Sequence, residues 1–135
     1  MMSISETIQP FLDDLAVGKA TPGGGSAAAA AGAMGAALVS MVCSLTIGKK
    51  KFAGVEQEMI ETREKAESLR AELIGLINED SEAFAAVMNA FRLPKETEEE
   101  KLTRELAIQA ATKRATLSPL ATARACADVI ELCQT

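Results

Sequence analysis

Residues 69–91 decide the fold: they read Leu69-Arg70-Ala71-Glu72-Leu73-Ile74-Gly75-Leu76-Ile77-Asn78-Glu79-Asp80-Ser81-Glu82-Ala83-Phe84-Ala85-Ala86-Val87-Met88-Asn89-Ala90-Phe91. An α-helix advances about 100° per residue, so Leu73, Leu76, Phe84, Val87 and Phe91 all fall within about 60° of the direction of Leu69. A stripe sustained over so many turns predicts one long amphipathic helix. It starts near Val55, after Gly54, and Pro94 stops it, because proline cannot continue the backbone ladder. Such a stripe needs partners to cover it, and the rest of the chain supplies helices for that purpose.

Towards the N-terminus, Ser3 followed by Glu6 fits a capping box, and Ile4, Ile8, Phe11, Leu12 and Leu15 then recur at helical spacing to about Val17. Gly18-Lys19-Ala20-Thr21-Pro22-Gly23-Gly24-Gly25-Ser26 breaks that pattern, and Ser26 is placed to cap the next helix. No charge occurs from Ala27 to Ile47. A run of that length raises the question of a membrane span, but it is rich in Ala and Gly. Ala28, Gly32, Ala36, Ser40, Ser44 and Gly48 line one face at intervals of four, which suits close packing against another backbone. The amphipathic segments further along the chain need a buried partner, so a central core helix is the expectation and a membrane hairpin the lesser alternative. Gly48-Lys49-Lys50-Lys51 closes it, with the lysines read as a solvated helix end. Beyond Pro94, Thr97 with Glu100 makes a second capping box, and Ser118-Pro119 suggests a kink or restart into a last helix through Leu132. The fold class expected is all-α, an antiparallel helical bundle of about five helices, formed by residues 1–135 as one domain.

Composition narrows the chemistry. The chain has 135 residues, 48% of them hydrophobic, enough for one core. Aromatics make up only 3% and the formal charge is -5, which argues against a nucleic-acid partner, since phosphate binding needs a basic face and base stacking needs aromatic platforms. The three cysteines, an odd number with no leader sequence before them, point to a reducing, cytoplasmic compartment. Cys126 and Cys133 stand roughly 10 Å apart along one helix, too far for a disulfide. Without histidine or a CxxC pair the usual zinc ligand sets are lacking, so no metal is expected. Any general acid or base must be a carboxylate, a lysine or a thiol.

One carboxylate is out of place. Asp80 falls about 20° from Leu69, in the middle of the apolar stripe, whereas Glu79 and Glu82 project to the sides or back, where solvent is expected. Burying a carboxyl favours its neutral form, which is the tuning that proton transfer near neutral pH requires. The same position equally suits a structural aspartate that caps a neighbouring helix or pairs with a cation. Thr21-Pro22-Gly23-Gly24-Gly25-Ser26 is similarly two-sided. It is either a flexible turn before a helix, or a cradle of free backbone N–H groups for a ligand. It lacks the Gly-Lys-Ser/Thr ending of a nucleotide P-loop.

Taken in order, Phe11-Leu12-Asp13-Asp14-Leu15, Thr21-Pro22-Gly23-Gly24-Gly25-Ser26-Ala27-Ala28-Ala29, Leu45-Thr46-Ile47-Gly48-Lys49-Lys50-Lys51-Phe52, Asp80-Ser81-Glu82-Ala83-Phe84 and Phe91-Arg92-Leu93-Pro94-Lys95 resemble the formiminotransferase-cyclodeaminase C-terminal family. The resemblance implies a helical homodimer or higher oligomer acting on a tetrahydrofolate derivative, as a cyclodeaminase or a methenyltetrahydrofolate cyclohydrolase. It implies a catalytic carboxylate at Asp80 and a folate pocket lined by Thr21, Pro22, Gly23, Gly24, Gly25 and Ser26. Members of the family continue with further helices where this chain ends, so a shortened form of the module is expected. A chain starting at its first helix also reads as a stand-alone module. The reading from another class is a non-catalytic helical module for oligomerisation or folate binding.

Overall fold

The computed structural model describes residues 3–135. Helix α1 runs Ile4–Ala16, α2 Gly24–Thr46, α3 Glu56–Phe91 and α4 Glu98–Leu132, with a 3-10 helix at Lys50–Val55 between α2 and α3. No strand occurs among the described residues, and the fold is an all-α helical bundle.

The helix starts reflect local chemistry. Ser3 Oγ accepts the Glu6 N–H at 3.2 Å while the Glu6 carboxylate accepts the Ser3 N–H at 2.8 Å, the reciprocal capping box expected for α1. Thr97 and Glu100 repeat it at α4, with both bonds at 3.1 Å. Gly48 ends α2 in the left-handed region (φ 77°), and its N–H donates to the Glu56 carboxylate at 2.9 Å.

Three expectations need correction. Lys50 and Lys51 belong to the 3-10 helix rather than to the end of α2. Ser26 does not cap α2, which begins two residues earlier at Gly24. Ser118-Pro119 does not restart a new helix, for α4 is continuous through it, and the described residues hold four α-helices, close to the five or so expected. Proline's φ of about −65° is itself helical, and its cost is one lost bond and local crowding.

Residue contacts divide the chain into two compact units, the first comprising the chain up to Ala27 with Ile77–Leu120, the second Ala28–Leu76 with Ala121–Thr135. In the first, Arg104 donates to the Phe91 carbonyl at 3.3 Å and Arg114 to the Glu79 carboxylate, so α3 and α4 run antiparallel there. In the second, a side chain on Gly32 would stand 2.6 Å from Cys126 Sγ and 3.1 Å from a Leu73 methyl, and one on Gly35 would stand 3.4 Å from Val129 Cγ1. The small-residue stripe of α2 thus lets α3 and α4 close in on its backbone.

Close approach leaves room mainly for small side chains in the core. Ala29, Ala36, Ala66 and Leu73 are fully buried, while Phe84 and Phe91, expected on the covered stripe, are 40% and 51% exposed. Met34, Leu38, Met41, Val42 and Leu45 of α2 are also exposed. Among the described residues α2 is the one helix long and apolar enough, by length and composition, to cross a membrane.

Gly32→Ala tests the packing of the second unit. Overfilling a packed core costs about 1–3 kcal/mol, more than the ~1 kcal/mol alanine gains over glycine inside a helix. Urea denaturation is expected to show a net loss of up to about 2 kcal/mol. An unchanged midpoint would mean that α2 stands further from Cys126 and Leu73 than described.

Candidate functional site

The first unit brings the sequence-selected residues together. Asp80, on the second half of α3, is half-buried and rests against the start of α2. A side chain on Gly25 would collide with Asp80 Oδ1 and stand 2.5 Å from Cγ and 2.7 Å from Oδ2, so the carboxylate occupies the space that any other residue would fill. Gly23 is next nearest, its missing side chain 4.0 Å from Asp80 Oδ2. The first N–H groups of a helix lack ladder partners and carry the positive end of its dipole, and Gly24 and Gly25 stand in that first turn of α2. Thr21 and Pro22 are half-buried in the approach to α2, and Gly24 is exposed.

Ser26 differs from its neighbours. Its side chain is fully enclosed, and Oγ donates to the Ile77 carbonyl of α3 at 2.7 Å. Ser81 Oγ lies 3.5 Å from Ser26 Oγ, the outer limit of a hydrogen bond.

Arg114 of α4 is the residue that the sequence did not disclose. Its Nε and one terminal nitrogen donate to the two Glu79 oxygens at 2.8 and 2.9 Å, and Glu82 lies 3.5 Å away. Both carboxylates flanking Asp80 are therefore answered by one guanidinium. Nothing in the spacing of α4 singles out Arg114, because the pairing joins residues 35 apart.

The Arg114 hydrogen bonds hold the Glu79 carboxyl below its ordinary value of 4.5. A depressed carboxylate contributes stability above its ordinary value and loses it as the pH falls through the depressed one. The side chains of Arg114 and Glu79 are 47% and 34% exposed, so solvent screens much of this. Arg114→Gln is expected to leave stability at neutral pH nearly unchanged and to flatten its decline below pH 4.5 in denaturant titrations. An acid limb like that of the unaltered protein would show the pair to be inert.

The second unit holds an apolar cavity of about 310 Å³ lined by Leu38, Val42, Cys43 and Met59 among others. Its lining is short of proton-transfer groups. Burial pushes the Cys43 thiol up, and a protonated thiol is a poor nucleophile. Asp80, the carboxylate that the helical period singles out, lies in the first unit.

Comparison with known proteins places the chain in a family. The sequence profile of the formiminotransferase-cyclodeaminase family matches residues 7–135. The chain belongs to that family. It is 57% identical to a methenyltetrahydrofolate cyclohydrolase of Methylorubrum extorquens over 133 residues, 98% of this chain and 64% of that protein. It is 37% identical to the formimidoyltransferase-cyclodeaminase of Rattus norvegicus over 117 residues, 87% of this chain and 22% of that one. Among solved structures, the formiminotetrahydrofolate cyclodeaminase of Thermotoga maritima superposes with a TM-score of 0.59 at 29% identity, covering 97% of this chain and 74% of the other. The chain thus spans about two thirds of the cyclohydrolase and under a quarter of the rat protein.

Proposed function

We propose that this chain is a folate one-carbon enzyme hydrolysing the methenyl bridge of 5,10-methenyltetrahydrofolate, with Asp80 as its proton-transfer group and the Thr21–Ser26 turn along the folate. The observation that carries the reading is the carboxylate of Asp80 lodged against Gly25 beneath the first turn of α2. The substrate's reacting carbon lies between two nitrogens that share a positive charge, and an anionic oxygen beside it offsets that charge. As water adds to the carbon, Asp80 takes its proton, leaving a neutral tetrahedral intermediate. The proton then passes to N5 while the carbon–N5 bond breaks, the hydroxyl oxygen gives up its remaining proton to solvent as the C=O bond forms, and the formyl group stays on N10.

Cyclodeamination is the second reading, favoured by the likeness to the Thermotoga maritima cyclodeaminase. There N10 attacks the formimino carbon, and the same carboxylate carries a proton to the departing ammonia. Neither route needs a metal, and the chain has no histidine to bind one. Residues 1–135 work as one module in the cytoplasm, where free Cys43, Cys126 and Cys133 stay reduced. The exposed apolar face of α2, Met34 to Leu45, favours a homodimer or higher oligomer.

The test offers purified protein each folate in turn. Loss of the methenyl chromophore without ammonia marks the hydrolase; its appearance with ammonia from the 5-formimino compound marks the deaminase. Calorimetric folate binding with neither turnover would leave a binding module, and no binding at all a structural one.

A further inference from the structure

The Ser26 side chain has no exposed surface, and its hydroxyl hydrogen is committed to the Ile77 carbonyl at 2.7 Å. A group so enclosed cannot meet a folate without leaving its place. Ile77 precedes Asp80 by three residues, hence nearly one turn earlier on the same side of α3. Gly25, the residue before Ser26, is the one against which the Asp80 carboxylate rests. The bond from Ser26 therefore ties the first turn of α2 to the turn of α3 that carries the carboxylate. We propose that Ser26 is a positioning residue for Asp80: its bond to Ile77 keeps Gly25 against the carboxylate and fixes the direction in which that carboxylate faces the reacting carbon. Ser81, at 3.5 Å, is too distant to share much of this task. The inference rests on the reading of Asp80 as the proton-transfer group, and it moves Ser26 from the ligand side of the turn to its rear.

Steady-state kinetics of Ser26→Ala, Asp80→Asn, the double variant and Ser26→Cys, on whichever folate the unaltered chain turns over, test it. Ser26→Ala is expected to lose about a hundredfold in kcat, the scale of a misplacement of about 1 Å, with KM nearly unchanged. In the Asp80→Asn background it is expected to cost nothing further, because the group it positions is gone. Ser26→Cys keeps a weak S–H donor on a somewhat larger side chain, and is expected to recover part of kcat. A raised KM with kcat intact would return Ser26 to the ligand and overturn the proposal. So would an equal loss in both backgrounds or, where Ser26→Ala does not fold, a raised KM with kcat intact in Ser26→Cys. Normal turnover in Asp80→Asn would instead remove the carboxylate reading, an outcome distinguishable because Ser26 is unaltered in that variant.

Discussion

Replacing Asp80 by asparagine is expected to lower kcat by about 10²–10⁴-fold, the usual contribution of a positioned acid or base. Asparagine has nearly the same shape, so the fit against Gly25 survives while the ability to accept a proton does not. Helix content and the denaturation midpoint are expected to change little, since Asp80 is half-buried and makes no ion pair among the described residues. Initial rates with each folate, beside circular dichroism of the same preparation, measure both. A well-folded variant with undiminished turnover would remove Asp80 from the mechanism.

The second large effect is expected at Gly25→Ala, which changes no titratable group. The new methyl would collide with the Asp80 carboxylate, standing 2.5 Å from its Cγ, so the carboxylate must turn away. Because that side chain is only half-buried it has somewhere to go. Alanine's preference for a helix, worth up to ~1 kcal/mol, offsets part of the crowding. Stability is therefore expected to move by no more than ~1 kcal/mol, in contrast to Gly32→Ala, where buried Leu73 blocks relief. Activity is expected to fall about a hundredfold, since the carboxylate no longer faces the reacting carbon. Full activity in Gly25→Ala would show that catalysis does not depend on where Asp80 rests.

Much of this architecture is legible in the residues alone. The capping boxes at Ser3 and Thr97, the stop before Pro94 and the glycine at the end of α2 all depend on bonds between residues a few positions apart. Asp80 stands out because a helical period makes a misplaced charge visible. The family motifs made the connection between Asp80 and the Thr21–Ser26 turn expected. Other features were not legible, each for a reason that lies in space. Ser26 looked like a cap because serine before a helix commonly is one, yet its hydroxyl found an acceptor 51 residues away. Phe84 and Phe91 lie on the apolar side of α3, but the helices meet through alanines too closely to admit a ring.

Local chemistry by itself determined that the chain is helical, where most helices begin and end, and that Asp80 lies on the inward side of α3. Tertiary structure decided what that side meets: bare glycine at the carboxylate, a carbonyl at the Ser26 hydroxyl, and a guanidinium for Glu79 and Glu82. A helical period states the direction in which a side chain leaves its own axis. The atoms waiting there belong to distant segments, whose position is set by packing and not by neighbours in sequence.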